Sequence, residues 1–225
     1  RTQLETRHTM PFTRTNDLQL HYLDHAGEGP PILLMHGLTA NAHAFDGLVA
    51  AGLSPRFRVL AVDLRGRGKS DQPQQGYGMA DHAADILGLL DALGLERVVL
   101  GGHSFGAWLA IYVAAHHPER VERLIGIDVA ARLHPQVRAL IGPSLARLGQ
   151  TFPSWESYLE QMRQSPPFHD WWEPEIESYF RADVETRGDG SVVPRSRLDA
   201  ILEAADRAER EPWLEPIIPR VRQPV

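Results

Sequence analysis

Four short apolar runs, each followed at once by histidine, aspartate or glycine, constrain the fold of this chain most strongly. They lie at residues 32–35, 58–62, 98–100 and 121–127. Apolar runs of this length that end in turn residues are typical of strands buried on both faces. Between them, residues 79–93 carry apolar side chains at helical spacing, and Gly94 is a suitable helix stop. Strands that alternate with helices predict an α/β fold, with a mainly parallel sheet covered by helices on both faces.

The pattern changes after residue 131, where aromatic and charged residues replace the apolar runs. We find no strand-like run there, and we predict helices at residues 135–148, 154–163, 174–185 and 197–210. We therefore divide the chain into the first part of a core domain (1–131), an inserted helical cap (132–212) and a return to the core (213–225). Residues 223–225 are predicted to begin a further buried strand, so we expect the C-terminal strands of the sheet to be missing from these residues.

Composition excludes several classes of protein. The net charge of −6 lacks the basic excess typical of nucleic-acid binders and gives no reason to bind an anionic membrane. No apolar run reaches the ~18 residues that a spanning helix needs. Without cysteine there are no disulfides or thiolate sites, and a cytoplasmic location fits. No histidine and carboxylate cluster has metal-ligand spacing, so we predict neither metal nor other cofactor.

The segment Gly102-His103-Ser104-Phe105-Gly106 matches G-x-S-x-G and lies directly after one apolar run and before a helix rich in small residues. Such a turn strains the serine backbone, and glycines on either side avoid collisions between strand and helix. Ser104 then projects at the amino end of the helix, where backbone N–H groups favour developing negative charge. The pattern predicts Ser104 as a nucleophile. A glycine-rich turn with an incidental serine is the alternative.

A second loop, His36-Gly37-Leu38-Thr39, follows the apolar run at 32–35. We predict that the N–H groups of Leu38 and Phe105 form an oxyanion hole, each contributing on the order of 3 kcal/mol to the transition state. His36 is expected mainly to shape this loop by packing and hydrogen bonding.

Together with Val62-Asp63-Leu64-Arg65-Gly66-Arg67-Gly68-Lys69-Ser70, these two segments resemble the α/β-hydrolase superfamily in order and spacing. The resemblance implies hydrolysis through an acyl-enzyme on Ser104, and a triad in the chain order serine, acid, histidine. The chain is most similar to small esterases, lactonases and carbon–carbon bond hydrolases. Haloalkane dehalogenases and epoxide hydrolases differ, because they carry aspartate at the position of Ser104.

The partners of Ser104 are harder to place. The resemblance puts the catalytic histidine and the usual acid beyond Val225, so we expect these residues to be an incomplete chain. Asp128, after the strand that follows Ser104, is a possible triad acid, with loop capping as the alternative. His103 adjoins Ser104, but neighbouring side chains on a tight turn diverge. For the remaining histidines we expect structural or solvent roles: His8, His21, His25, His43, His82, His116, His117, His134 and His169. Of these, we expect peripheral positions for His8, His21, His25 and His82.

We predict hydrolysis of a small-molecule carboxylic ester or lactone, without a nucleic-acid or membrane partner. Candidates for the substrate pocket are His36, His103, Trp155, Trp171 and Trp172, although the tryptophans could equally form the core of the cap. A carbon–carbon bond hydrolase is an alternative and would show an arginine-lined acid pocket. A non-catalytic hydrolase-fold binding protein is another, since it could retain these motifs. A phosphate-binding loop ending at Ser70 is disfavoured, because Asp63 stands where that motif needs glycine.

Overall fold

The central element of the computed structural model is a six-stranded sheet in the order β1-β2-β4-β3-β5-β6. The structure describes residues 11–131, 137–165, 168, 170, 172–210 and 214–225. The strands are β1 (Phe12–Thr15), β2 (Leu18–His25), β3 (Gly29–Met35), β4 (Phe57–Val62), β5 (Val98–His103) and β6 (Val121–Ile127). β1 and β2 are antiparallel to their neighbours, whereas β4, β3, β5 and β6 run parallel. This confirms the predicted mainly parallel α/β fold.

Helices cover both faces because the buried strands present apolar side chains on each side. On β3, Leu33 and Met35 join the larger core cluster under α3 (Met79–Ala92) and α4 (Phe105–His116). Ile32 and Leu34 point to the opposite face, where they pack with Ala42, as alternation along a strand requires. That second face is covered by short helical turns at residues 42–45 and 49–53, which supply Phe45, Val49 and Leu53, with α1 (Asp46–Leu48) and α2 (Ser54–Arg56) next to them in the chain.

The strand register brings three loops together at one edge of the sheet. Met35, the last residue of β3, pairs with Gly102 of β5, and His103 pairs with Ile127 of β6. The segments that follow β3, β5 and β6 therefore leave the sheet side by side. Ligand sites in open α/β sheets lie at such carboxyl ends of strands.

The segment after residue 131 is largely helical, as predicted. Its helices are α5 (Val137–Ala146), α6 (Trp155–Arg163), α7 (Pro174–Asp183) and α8 (Leu198–Arg210), followed by the short α9 (Leu214–Ile217). Ala200 and Ala204 of α8 pack into the core of the sheet domain, so this helix joins the two parts. The domain boundaries at 131 and 212 stay predictions.

The expectation that residues 132–212 contain no strand was wrong. β7 (Val184–Thr186) and β8 (Val192–Pro194) form an antiparallel hairpin. Each strand has three residues, which is too short for a visible alternation of apolar and polar positions. The signal was the turn itself, since Asp189-Gly190 is a favoured hairpin dipeptide and Gly190 has a φ of +86°.

The C-terminal residues lie beside β6. A 3₁₀ turn at Ile218–Arg220 precedes them. The carbonyl oxygen of Pro224 then accepts a hydrogen bond from the N–H of Leu124 at 2.9 Å. Residues 223–225 are not a strand in this structure, so the predicted lead-in is present only as this single bond to the sheet edge. Within the described segments, no helix combines the length and apolar character that a bilayer crossing requires.

Candidate active site

The turn between β5 and α4 places Ser104 in a strained backbone conformation. Its φ is +51° and its ψ −113°, in the left-handed region that non-glycine residues rarely adopt. A Cβ on Gly102 would lie 2.2 Å from the backbone carbon of Gly106, and one on Gly106 would lie 2.0 Å from the carbonyl oxygen of Met35. Neither position can carry a side chain without moving the helix from the sheet. The two glycines of the motif are therefore required by backbone contact.

Backbone hydrogen bonds fix Ser104 between the sheet and the helix. Its N–H donates to the carbonyl oxygen of Ile127 at 2.9 Å, and its own carbonyl oxygen accepts from Ala107 and Trp108 at 3.0 and 3.1 Å. The half-buried side chain thus stands at the amino end of a 12-residue helix. The partial positive charge at that end favours a developing oxyanion.

The neighbouring loop after β3 is held by the buried ring of His36. Its Nε2 accepts from the N–H of Leu64 at 3.0 Å, so Nδ1 carries the proton and donates to the carbonyl oxygen of Gly37 at 2.8 Å. Burial lowers the pKa of His36 to about 4, which keeps the ring neutral. In a planar trans peptide the N–H of Leu38 points opposite to that carbonyl. His36 therefore fixes the direction of a predicted oxyanion donor.

The same loop contacts the elbow directly. A Cβ on Gly37 would lie 2.8 Å from Nδ1 of His103, the residue before Ser104. The loop that carries the N–H of Leu38 thus packs against the turn that carries the N–H of Phe105. The structure brings together the segments of the two predicted donors and the predicted nucleophile.

A buried arginine lies beneath this junction. Nε of Arg67 donates to the carbonyl oxygen of Leu38 at 3.1 Å, and its guanidinium carbon lies 5.4 Å from the centroid of the Phe105 ring. One of its terminal nitrogens faces Nε2 of His82 at 3.2 Å. Burial lowers the pKa of Arg67 to about 10, so the cation persists at neutral pH. Sequence reasoning did not assign Arg67 to the site.

His82 is not peripheral, contrary to expectation. It is buried, and its Nδ1 donates to the carbonyl oxygen of Gly78 at 2.9 Å, while Nε2 faces Arg67. Burial lowers the pKa of His82 well below the usual 6.5. The signal for this burial was helical spacing, because position 82 lies on the same face as Met79, Ala83 and Ile86.

Asp63 joins two loops under the site. Its carboxylate accepts from the N–H groups of Ala42 and Lys69 at 2.7 and 2.9 Å and from Nδ1 of His21 at 2.7 Å. Burial acts to raise its pKa, but the hydrogen bonds from His21 and from the N–H of Lys69 contribute to an opposing effect that outweighs burial and lowers it. The N–H of Lys69 therefore points at a carboxylate, which argues against a phosphate-binding loop here. His21 is buried in this cluster, although the sequence had suggested a peripheral position.

Asp128 lies next to the elbow, at the end of β6. It has a φ of +49°, and its Oδ2 is 3.7 Å from Nε2 of His103. Because Ser104 is hydrogen-bonded to the carbonyl of Ile127, the next residue in the chain begins beside the nucleophile. The Asp128 side chain is 87% exposed. The structure therefore places an exposed carboxylate at the carboxyl end of β6, next to the residue that accepts the N–H of Ser104.

This architecture can be compared with known proteins. A family model described as alpha/beta hydrolase fold matches residues 30–172. The chain belongs to the α/β-hydrolase fold family. It is similar to the 2-(acetamidomethylene)succinate hydrolase of Mesorhizobium japonicum, with 43% identity over 102 residues that cover 45% of this chain and 36% of that protein. It also resembles the soluble epoxide hydrolase of a Corynebacterium species, with 33% identity over 138 residues (61% of this chain and 43% of the relative).

Two solved structures superpose over almost the whole chain. The crystal structure of E-2-(acetamidomethylene)succinate hydrolase gives a TM-score of 0.82 at 29% identity, covering 96% of this chain and 79% of that one. An enol-lactonase from Burkholderia xenovorans gives 0.68 at 26% identity, covering 95% and 78%. In the curated relatives, by contrast, the matched segment spans less than half of the protein's length.

In this hydrolase fold, the two described tryptophans of the predicted pocket pack within the helical segment. Trp172 stacks on Phe180 with ring centroids 5.7 Å apart and planes 7° from parallel. Trp155 lies 5.8 Å from the ring of Tyr158, with the guanidinium of Arg181 over its face at 3.5 Å. Both rings therefore belong to the aromatic cluster of the helical segment, and their contact with substrate stays a prediction. Trp171 lies outside the described residues.

The described histidines mostly face groups other than Ser104. Six of them direct a ring nitrogen at partners other than Ser104: His21, His36, His43, His82, His116 and His117. His103 adjoins Ser104 and is 42% exposed. His8, His134 and His169 lie outside the described residues. The expected base beyond Val225 stays a prediction. Across the described residues, no group of three histidine or carboxylate side chains could hold a metal ion.

Proposed function

We propose that this protein is a serine hydrolase that cleaves carboxylic ester or lactone bonds through an acyl-enzyme on Ser104. One observation carries the proposal. Ser104 occupies a strained left-handed turn at the amino end of α4, directly against the Leu38 loop. A strained non-glycine backbone is typical of functional sites, and this turn places a hydroxyl where negative charge is stabilised.

The reaction follows from this arrangement. Oγ of Ser104 attacks the carbonyl carbon while a base removes its proton. The carbonyl oxygen becomes an oxyanion that accepts hydrogen bonds from the N–H groups of Leu38 and Phe105. Collapse of the tetrahedral intermediate expels the alcohol oxygen, which takes the proton from the base. Water then attacks the acyl-enzyme by the same route, releasing the carboxylic acid and restoring the serine.

Asp128 is our candidate for the acid that orients the base. It follows Ser104 in the chain, as the family order requires, and it lies at the adjacent strand end. A carboxylate in this role holds the imidazole in the correct tautomer and stabilises the imidazolium.

Two comparisons bear on the bond that is cleaved. The enol-lactonase neighbour, with 26% identity over 95% of this chain, supports a lactone or ester substrate. The similarity to epoxide hydrolases gives weaker support for epoxide hydrolysis by this chain, because Ser104 occupies the position at which those family members carry aspartate.

Fluorophosphonate labelling of the full chain tests the proposal. The probe should form one adduct, on Ser104, and Ser104→Ala should abolish it and lower ester or lactone turnover by at least about 10³-fold. Ser157→Ala is the matched control, because Ser157 is exposed on α6 and should remain dispensable. Undiminished labelling of the Ser104→Ala protein would overturn the proposal.

A second candidate is the hydrolysis of a carboxylate-bearing substrate, such as the succinate derivative named for the structural neighbour with a TM-score of 0.82. Within this class, a carbon–carbon bond hydrolase should line its pocket with arginine. Two buried arginines near the site, Arg67 and Arg147, do not fit that expectation, since both donate to backbone carbonyls of the Leu38 loop. Turnover of 2-(acetamidomethylene)succinate in place of simple esters would favour this candidate.

A non-catalytic binding protein is distinguished by the same experiment. It would retain the fold and bind a small molecule, but wild-type protein would show neither adduct nor turnover.

A further inference from the structure

The loop that carries the predicted oxyanion donor is held by three buried side chains at three successive carbonyls. His36 donates to the carbonyl oxygen of Gly37 and Arg67 to that of Leu38. The third hydrogen bond comes from the helical segment, where a terminal nitrogen of Arg147 donates to the carbonyl oxygen of Thr39 at 2.7 Å. Residues 39 and 147 are 108 positions apart, so this bond joins the two parts of the chain.

Arg147 is itself fixed by a buried polar cluster. It forms a two-point ion pair with Asp183 at the end of α7, with distances of 2.9 and 3.0 Å. The hydroxyl of Tyr158 donates to the same carboxylate at 2.6 Å. All three side chains are buried. Although burial acts to lower it, the Asp183 carboxylate raises the pKa of Arg147 above its ordinary value, so the arginine stays charged.

Other contacts between the two parts lie next to this one. The side-chain amide of Asn41 donates to the carbonyl oxygen of Tyr179 at 3.1 Å, and the hydroxyl of Ser178 donates to Asp46 at 2.7 Å. These bonds connect α7 to Asn41 and Asp46, which follow the three loop carbonyls in the sequence. Arg147 alone among them holds a carbonyl adjacent to Leu38.

We propose that Arg147 is a positioning residue that couples the helical cap to the oxyanion loop. The proposal rests on the proposed function, since it assigns Arg147 to the hole that would serve Ser104. The guanidinium of Arg147 binds Asp183 through two nitrogens, and one of these also binds the carbonyl oxygen of Thr39. A shift of α7 therefore moves the Thr39 carbonyl, next to Leu38. A displacement of about 1 Å at such a donor can cost on the order of 10²-fold in rate.

The test compares two ways of disturbing the same cluster. Arg147→Leu with Asp183→Leu removes both charges together, a replacement that buried ion pairs often tolerate in folding. Tyr158→Phe is the matched control, because it loosens Asp183 but leaves the bond from Arg147 to Thr39. The rate constant for fluorophosphonate labelling should fall roughly 10- to 100-fold in the double variant, and less than about 3-fold in the control.

Amide hydrogen exchange gives a readout that does not depend on activity. Exchange at residues 37–40 should accelerate in the double variant and stay at the wild-type rate in Tyr158→Phe. Equal exchange and equal labelling in the two proteins would overturn the coupling. If the wild type is not labelled at all, the proposed function fails, while faster exchange in the double variant alone would still support the structural coupling.

Discussion

Asp128 is the residue at which a catalytic role and a structural role make opposite demands. Its side chain is 87% exposed, so removing the charge should change the free energy of unfolding by less than about 0.5 kcal/mol. If it orients the base, however, Asp128→Asn should lower kcat on the order of 10³- to 10⁴-fold, because the imidazole loses its partner. Steady-state kinetics and urea unfolding of the same protein measure the two quantities.

Asp91→Asn is the control for this substitution. Asp91 is also exposed, and it pairs at 2.7 Å with Arg120, which directly precedes β6, at the opposite end of that strand from Asp128. This variant should keep its kcat, because Asp91 is not part of the proposed site. Its free energy of unfolding should fall by at most about 1 kcal/mol, the upper range for a surface ion pair. A kcat for Asp128→Asn that matches the control would show that Asp128 only caps the loop.

At the scale of elements, the contact between β3 and α4 is set by the absence of side chains. A methyl group on Gly106 would lie 2.0 Å from the carbonyl oxygen of Met35, and backbone cannot move aside as a flexible side chain can. Gly106→Ala should therefore lower the free energy of unfolding by about 3 kcal/mol or more. Urea unfolding monitored by circular dichroism measures this loss.

Gly47→Ala is the matched control, since a Cβ there has no heavy atom within 4 Å. Its unfolding free energy should stay within about 0.5 kcal/mol of the wild type. If the two alanine variants were equally stable, the packing of α4 on β3 would be looser than the structure shows.

The elements themselves were largely predictable, because each is encoded by a local pattern. The four apolar runs became β3, β4, β5 and β6, and the spacing at 79–93 became α3. The short hairpin of β7 and β8 was missed, because three residues are too few to establish a period. Its two buried valines, Val184 and Val192, pack in a cluster of mainly aromatic residues from elsewhere in the helical segment, which no local pattern reveals.

The candidate site was predictable only where its chemistry is contiguous in the chain. The segment 102–106 and the loop at 36–39 could be recognised as motifs. The arginine side chains that hold the loop could not be recognised, because Arg67 and Arg147 lie 29 and 108 residues from the loop carbonyls they bind. An isolated arginine carries no sign of such a partner, and most arginines are exposed.

Over the whole molecule, two neutral imidazoles tie the site to the rest of the fold. His36 holds the loop after β3, and His82 faces Arg67 from α3, both in buried positions. Burial lowers the pKa of each below 6.5. Between the folded-state pKa of each ring and its unfolded value of about 6.5, the unfolded chain therefore binds more protons than the folded protein. Stability must then fall as the pH drops below about 6.5, and this loss continues until the folded state is itself protonated.

The size of the effect can be estimated for His36, whose folded pKa is about 4 against 6.5. Lowering the pH from 7 to 5 should remove about 2 kcal/mol of unfolding free energy through this residue. His36→Gln can still donate and accept a hydrogen bond, but it cannot titrate, so its loss over this range should be smaller by that amount. His116→Gln, at an exposed position, should lose as much as the wild type. Urea unfolding at both pH values measures the differences, and equal losses in all three proteins would mean that His36 is not buried as a neutral ring.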